Sequence, residues 1–351
     1  MISLPILNRH LENKILMITQ HFNNKIELES GDILQGIDIA YHTFGKLNEQ
    51  GNNVIWVCHA LTANSDVDAW WPGMVGPGAL FDTDKYFIIC ANTLGSCYGS
   101  TGPLSIKPGT KVKYYSEFPL ISVRDMVKAH QLLRKHLGIK EIFMITGGSL
   151  GGQQALEWCV MEPGLIKYLV PIATNAISSP WGIAFNESQR MALEADSSFG
   201  KADDQAGIEG MKVARSIALI SYRTSNAYNK TQQDDDEDII DGYRVCSYQR
   251  YQGEKLAKRF SPYSYFILSK TLDSQNLGRG RGGVEKALSK IKAETLVLGI
   301  SSDLLFPTSD QKRIASGIPG AKYVEIESFY GHDGFLLEVE GITKAVRSFI
   351  K

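Results

Sequence analysis

The sequence lacks several patterns that define other classes of protein. Its five cysteines are scattered and form no C-x-x-C pair; they are Cys58, Cys90, Cys97, Cys159 and Cys246. An odd, unpatterned set of this kind argues against a disulfide framework and against a structural zinc site, so no metal site is expected. The same usage is typical of a reducing compartment, and we expect a cytoplasmic protein.

Long apolar runs and an excess of one charge are also missing. No stretch approaches roughly 18 uninterrupted apolar residues, and the N-terminal segment MISLPILNRHLENK lacks the pattern of a signal peptide. The chain carries 37 Lys and Arg against 38 Asp and Glu, which gives a formal net charge of -1. Such a balance provides no global attraction to nucleic acid or to an anionic membrane. We therefore expect neither as a partner.

Strand-like and helix-like segments alternate along much of the chain. Helical patterns occur at 123–137, directly after Ser149, and at the C-terminus. Short apolar runs with the length of strands buried on both faces lie at 53–61, 86–94, 141–147, 168–173, 294–300 and 322–327. This alternation predicts an α/β fold with a mostly parallel central sheet and helices on both faces.

The stretch from about 178 to 290 breaks this alternation. It has few strand-like runs and several long helical ones, such as GIEGMKVARSIALISYR and YQRYQGEKLAKRF. We interpret residues 1–177 and 291–351 as the α/β core, and residues 178–290 as an inserted helical cap over the ends of the strands. The acidic run at 232–238 inside it is typical of a solvated loop or a helix start.

A glycine-rich motif surrounds Ser149. The segment Gly147-Gly148-Ser149-Leu150-Gly151 follows a predicted strand and opens a predicted helix, which is the context of a G-x-S-x-G nucleophile. The glycines leave room for a sharp turn, and the start of the helix directs backbone N–H groups toward the serine. A phosphate-binding loop would need G-x-x-x-x-G-K-[ST], and no lysine follows here. Ser149 is therefore the predicted nucleophile.

A serine nucleophile needs a base, and the base needs an orienting carboxylate. In enzymes with this motif, the acid and then the histidine follow the nucleophile, on loops after later strands. Asp303 lies just beyond the predicted strand at 294–300, and His332 lies in a glycine-flanked loop after the next strand. Ser149, Asp303 and His332 form the predicted catalytic triad.

The oxyanion hole of such an enzyme combines two backbone N–H groups. One should belong to Leu150, directly after the nucleophile, and the other to the loop after an early strand. The segment CHALTAN is that loop, and Leu61 is the candidate donor. His59 in the same segment precedes the nucleophile, so we expect it to pack or to shape the loop rather than to act as the base.

The segment GRGRGG contains a second glycine pattern. Gly278, Gly280 and Gly283 match G-x-G-x-x-G, the spacing of a dinucleotide-binding turn. The pattern follows a polar helical stretch instead of a strand, and it occurs once within a folded chain. It therefore predicts neither a dinucleotide site nor an RNA-binding tail.

Several blocks of the sequence together resemble one family. In chain order the blocks are GPGALFDTDKYFIICANTLGSCYGSTGP, GGSLGGQQALEW, SYR, YQRYQGEKLAKRFSPYSYF…LD…GRGRGG, SSDLLFP and GHDGF. This order is typical of homoserine O-acetyltransferases, and the resemblance spans roughly residues 30 to 350. These are acyltransferases of methionine biosynthesis with the α/β-hydrolase fold. The resemblance implies that an acetyl group passes from acetyl-CoA, through Ser149, to the γ-hydroxyl of L-homoserine. It implies no bound cofactor.

The same resemblance implies roles for residues outside the triad. Arg223, in SYR, would bind the carboxylate of homoserine as a planar fork, and Asp333, directly after His332, would meet its ammonium group. Tyr228 would be a further substrate contact. The family also implies a homodimer that forms through the helical cap.

The triad alone leaves the acyl acceptor open, because hydrolases and acyltransferases share it. A homoserine or serine O-succinyltransferase of the same fold would need an additional cation near Ser149 for the distal carboxylate, and the sequence does not place one. A serine esterase would release its acyl group to water whether or not homoserine is present. A non-catalytic binding protein of this fold would not need Ser149.

Overall fold

The computed structural model describes residues 16–350 and is built around one sheet of eight strands. The strands are β1 Ile18–Glu27, β2 Ile33–Phe44, β3 Val54–Val57, β4 Phe87–Ala91, β5 Ile142–Gly148, β6 Ile166–Ile172, β7 Glu294–Ile300 and β8 Lys322–Ile326. Their order across the sheet is β1-β2-β4-β3-β5-β6-β7-β8. Strands β4, β3, β5, β6, β7 and β8, adjacent in that order, pair in parallel. Strand β2 pairs antiparallel with both β1 and β4.

All six predicted strands are present, as β3 to β8. They form because Val- and Ile-rich segments bury both faces: every residue of β3, VIWV, is buried. The antiparallel strands β1 and β2 were not predicted. β1, ITQHFNNKIE, is polar and mostly exposed at the edge of the sheet, so its composition resembles that of a loop.

Helices cover both faces of the sheet. They are α1 Val67–Trp70, α2 Val123–His136, α3 Leu150–Met161, α4 Pro180–Glu194, α5 Ile208–Tyr222, α6 Ser225–Gln232, α7 Arg244–Ala257, α8 Pro262–Asp273, α9 Val284–Leu288, α10 Thr308–Gly317, α11 Gly334–Leu337 and α12 Val339–Phe349. Short 3₁₀ turns occur at Tyr115–Glu117 and Gly331–Asp333.

Two hydrophobic cores lie on opposite faces of the sheet. Trp56 of β3 joins α2, α3 and α10 in one core. Its neighbours Ile55 and Val57 join Trp71 and α12 in the other. The split follows from the geometry of a strand, in which successive side chains point to opposite faces. The structure thus has the predicted layers of helix, sheet and helix.

The chain between β6 and β7 is helical and comprises α4 to α9. Helix α4 packs against α5 and α8, and α5 packs against α7. The acidic run at 232–238 lies mostly in the connection between α6 and α7, and most of its residues are exposed. Within residues 16–350, none of the helices combines the length and the apolar character needed to cross a bilayer.

Candidate active site

Ser149 sits in a sharp turn between β5 and α3. Its backbone has φ 57° and ψ -125°, a conformation that a residue with a side chain adopts only at a cost. The turn is held from both sides: the Ser149 N–H donates to the Ile172 carbonyl at 3.0 Å. The Thr174 hydroxyl donates to the Ser149 carbonyl at 2.7 Å. The strain is therefore fixed by the neighbouring strand β6 and the loop that follows it.

Close approach of neighbouring backbone and of one aromatic ring explains the glycines around this turn. A Cβ on Gly147 would lie 2.5 Å from the Cys58 carbonyl oxygen, and one on Gly151 would lie 2.1 Å from the same atom. A Cβ on Gly148 would overlap the ring of Phe335, at 2.3 Å. The glycines are thus required by the tight turn and also by the close packing of the loop after β3 and of α11 against it.

Asp303 and His332 are in direct contact. The His332 Nδ1–H donates to Asp303 Oδ2 at 2.6 Å, and the carboxylate side chain is fully buried. The other oxygen, Asp303 Oδ1, accepts the backbone N–H groups of Leu305 and Phe306, each at 2.9 Å. This arrangement fixes the ring orientation of His332 and leaves Nε2 as the nitrogen available to a nucleophile.

Ser149 and His332 line one cavity of about 400 Å³. Both residues are buried, with exposed fractions of 6% and 4%. Among the hydrogen bonds of residues 16–350, none joins Ser149 Oγ to His332, and such catalytic bonds often tighten only when substrate binds. The structure therefore brings the three predicted triad residues to one site, with the acid–base contact already formed.

The two predicted oxyanion donors also lie at this site. Leu61 lines the cavity, and Leu150 is the first residue of α3, directly after Ser149. Within the described part of the chain, neither backbone N–H donates to a protein acceptor, and both residues are buried. Two N–H groups of buried residues without a protein partner, one of them at the start of α3, are suited to an oxyanion.

His59 shapes the loop that carries Leu61. Its Nδ1–H donates to the Ala60 carbonyl at 2.8 Å, and its Nε2 accepts the Thr93 N–H at 3.1 Å. Burial lowers the pKa of His59 to about 4, so the ring stays neutral near pH 7. With one nitrogen bonded within its own loop and the other to the segment after β4, His59 holds the backbone and does not serve as a base.

Arg223 and Asp333, predicted to bind opposite ends of a zwitterion, are paired with each other. The Arg223 Nε–H donates to Asp333 Oδ2 at 3.0 Å, and Nη1 donates to the Tyr248 hydroxyl. Asp333 lines the Ser149 cavity, whereas Arg223 is not among the residues that line it. The pair is therefore one unit at the edge of the cavity.

Tyr228 is not brought to the Ser149 cavity. Its hydroxyl donates to Gln249 Oε1 at 3.1 Å, and the residue lines a different surface cavity beside Val245. Its ring meets that of Tyr248 edge to face, with centroids 6.2 Å apart. Tyr228 thus adjoins the Tyr248 that contacts Arg223, and its role as a substrate contact stays a prediction.

Three cationic side chains line the cavity, and the sequence alone did not predict a role for any of them. They are Arg215 of α5, Lys255 of α7, and Arg259, which follows α7. The only signal in the sequence was the block YQGEKLAKRF, which carries Lys255 and Arg259 but does not show where they point. Among the described residues, no group of three or more His, Cys, Asp and Glu side chains could hold a metal ion.

The chain is similar to known proteins over most of its length. A family model for the α/β-hydrolase fold matches residues 53–339. A homoserine O-acetyltransferase of Cyclobacterium marinum is 44% identical over 340 residues, covering 97% of this chain and 97% of the relative. The chain belongs to the homoserine O-acetyltransferase family. Further relatives with this name are 38% to 42% identical over at least 92% of the chain.

Solved structures confirm the fold of this homoserine O-acetyltransferase family member. An esterase E22 mutant aligns with a TM-score of 0.87 at 23% identity, covering 96% of this chain and 100% of that one. A homoserine O-acetyltransferase from Bacillus anthracis aligns with the same TM-score of 0.87 at 24% identity, covering 96% and 98%. Since an esterase and an acetyltransferase align equally well, the fold does not choose the acyl acceptor.

Proposed function

We propose that this protein is a homoserine O-acetyltransferase that moves the acetyl group of acetyl-CoA to the γ-hydroxyl of L-homoserine. The observation that carries the proposal is the near full-length identity of 44% to a protein of that name. The cavity lined by Ser149 and His332, together with the contact from His332 to Asp303, supports it. The product would enter methionine biosynthesis.

The first half-reaction acylates Ser149. His332 Nε2 takes the proton of the serine hydroxyl as Oγ attacks the thioester carbon, and Asp303 stabilises the imidazolium that forms. The N–H groups of Leu61 and Leu150 would hold the oxyanion of the tetrahedral intermediate. The intermediate collapses to an acetyl-serine, and the CoA thiolate leaves with the proton from His332.

The second half-reaction transfers the acetyl group to homoserine. His332 takes the proton of the γ-hydroxyl, whose oxygen attacks the acetyl-serine, and returns a proton to Ser149 Oγ as the ester bond breaks. The Arg223–Asp333 pair is complementary to a zwitterion, because a carboxylate would meet the guanidinium and an ammonium the Asp333 carboxylate. This pairing supports an amino-acid acceptor over water.

We also propose that the protein works as a homodimer in the cytoplasm. Val213 and Ile220 lie seven residues apart on α5, with 54% and 57% of their surface exposed, and Tyr251 of α7 is 60% exposed. Apolar side chains on packed cap helices support association through that surface. All five cysteines are unpaired, which fits a reducing compartment.

The experiment is native and intact mass spectrometry of the protein mixed with acetyl-CoA and then with L-homoserine. We expect an acetyl adduct that disappears as O-acetylhomoserine forms, and a native mass of two 38.9 kDa chains. Ser149→Ala should form no adduct and transfer no acetyl group.

Other results would assign a different activity. An adduct only from succinyl-CoA would indicate the succinyltransferase, and an adduct that decays at one rate with or without homoserine would indicate an esterase. Transfer that survives Ser149→Ala would contradict the mechanism. A native mass of one chain at micromolar concentration would contradict the dimer.

A further inference from the structure

The wall of the Ser149 cavity carries cations without anionic partners. Arg215, Lys255 and Arg259 line this cavity. In the part of the chain that the structure describes, none of the three takes part in an ion pair. Their charges are therefore not used to hold one element of the fold to another through a carboxylate.

Most other arginines in the described part of the chain form ion pairs, and the exceptions outside the cavity are Arg244, Arg250 and Arg347. Ion pairs to carboxylates hold the side chains of Arg124, Arg134, Arg190, Arg223, Arg279, Arg281 and Arg313. The chain as a whole is nearly neutral, with 37 cationic and 38 anionic side chains. Among the described residues that line the cavity, Asp333 alone carries a carboxylate, and Arg223 pairs with it. The cap wall is thus a local positive region on a neutral protein.

The three cations that line the cavity differ in exposure, and Arg215 is the least exposed of them. Lys255 and Arg259 are exposed, whereas Ser149 is buried. The guanidinium of Arg215 lies 5.4 Å from the Tyr222 ring centroid, and that centroid lies 5.7 Å from the His332 ring. A ligand with its reacting carbon at Ser149 would pass this wall on its way out of the cavity.

Arg259 is also held in place from the core. Its Nη1 donates to the Thr62 carbonyl at 2.6 Å and to the Tyr98 hydroxyl at 2.7 Å. Both acceptors are uncharged, so the guanidinium keeps its charge unneutralised while its position is fixed. Preorganised cations of this kind bind an anion at a lower entropic cost than free side chains.

We propose that Arg215, Lys255 and Arg259 form a subsite for the phosphate groups of the acyl-CoA donor. The inference rests on the proposed acyl-CoA chemistry and adds the residues that hold the donor. Three cations match a ligand with several negative charges, and the diphosphate and 3′-phosphate of CoA supply them. A distal acyl carboxylate carries a single charge, which one arginine would satisfy.

Two measurements on the variants Lys255→Gln and Arg215→Gln test this subsite. The first compares kcat/KM for acetyl-CoA with kcat/KM for S-acetylpantetheine, which carries the same thioester without phosphate. The second is the calorimetric Kd of adenosine 3′,5′-bisphosphate. We expect each variant to lower the ratio of the two kcat/KM values about tenfold, and to weaken bisphosphate binding by a similar factor.

The matched control is Lys258→Gln. Lys258 is an exposed lysine at the same end of α7 that does not line the cavity. It should change neither the ratio nor the bisphosphate Kd, which separates a local contact from a general loss of positive charge. Both measurements are repeated at two salt concentrations, because phosphate contacts weaken as salt rises.

Three outcomes would overturn the subsite. Equal losses for both donors would mean that the cations support the reaction or the stability of α7, and not the phosphates. A changed preference for succinyl-CoA over acetyl-CoA, with bisphosphate binding unchanged, would assign the wall to an acyl carboxylate. Failure of the unmodified protein to bind the bisphosphate would also overturn it, even if acetyl transfer occurs. Bisphosphate binding without any acetyl-enzyme would support the subsite and contradict the proposed function.

Discussion

Gly151 stands two residues after the nucleophile, where the first turn of α3 passes the loop after β3. A Cβ at this position would lie 2.1 Å from the carbonyl oxygen of Cys58 and 2.9 Å from its carbon. These are backbone atoms at the end of a buried central strand, so they cannot move aside as a flexible side chain can. The geometry of the nucleophile therefore depends on the absence of a side chain at position 151.

We expect Gly151→Ala to lower acyl transfer by about 10²-fold or more, because the displaced turn moves the Leu150 N–H away from the oxyanion. Steady-state kcat and thermal unfolding measure the two consequences. Gly182→Ala is the control: it lies in the first turn of α4, with Ser179 Oγ at 3.5 Å as the nearest atom. It should keep activity and gain up to about 1 kcal/mol of stability. Equal activity in both variants would contradict the argument.

At the scale of elements, a charged cluster joins the insertion to the core. Glu157 of α3 is buried and accepts Arg124 Nε of α2 at 2.9 Å and Arg281 Nη1 at 2.7 Å. Arg281 belongs to GRGRGG, through which the chain returns from α8 to the core. The glycine pattern that resembles a dinucleotide site is thus a structural connection, because its arginine pairs with a core carboxylate.

We expect Glu157→Gln to lower the free energy of unfolding by roughly 3 kcal/mol, because it leaves the half-buried Arg281 without its anion. Urea denaturation gives the change as a shift of the midpoint. The matched control is Glu285→Gln, since the Glu285–Arg313 pair is exposed, with side-chain exposures of 69% and 47%. Its loss should cost less than about 1 kcal/mol. A similar shift of the midpoint in both variants would contradict the expected difference between the buried and the exposed ion pair.

At the scale of the whole molecule, buried histidines couple folding to pH. Burial lowers the pKa of His59 to about 4 and, together with the neighbouring His59, that of His130 to about 3. Unfolding returns both to about 6.5, so below that pH the unfolded chain binds more protons and stability falls as the pH falls. Burial raises the pKa of Asp310 to about 6, and this carboxyl acts in the opposite sense below pH 6.

Each of these three groups changes the free energy of unfolding by about 1.4 kcal/mol per pH unit, so together His59, His130 and Asp310 contribute a net loss of about 1.4 kcal/mol per pH unit as the pH falls from 6 to 4.5. His130→Phe should lower the measured slope by about 1.4 kcal/mol per pH unit, which is the contribution of this one histidine. Both ring nitrogens of His130 lack a partner among the described residues, so phenylalanine loses no hydrogen bond there. Denaturant unfolding at several pH values measures the slope, with the exposed His136→Phe on the same helix as the control. An unchanged slope in His130→Phe would count against the assignment.

The sequence alone determined the six central strands, the order of the predicted triad and the family. Buried parallel strands need continuous apolar segments, and a nucleophile turn needs its glycines, so both leave local signals. The sequence of β1 carries no such signal, because an exposed edge strand needs neither a continuous apolar segment nor a glycine-rich turn. Ser149, Asp303 and His332 could be found because each lies in the turn or loop that follows a strand of the parallel sheet.

Only the tertiary structure decided which side chains meet across the insertion. Arg215 and Lys255 lie 40 residues apart on different helices, and they reach one cavity because α5 packs against α7. Likewise, Arg223 and Asp333 pair across 110 positions of the chain. Helix packing sets these contacts through the relative rotation of the helices, which no local pattern of residues encodes.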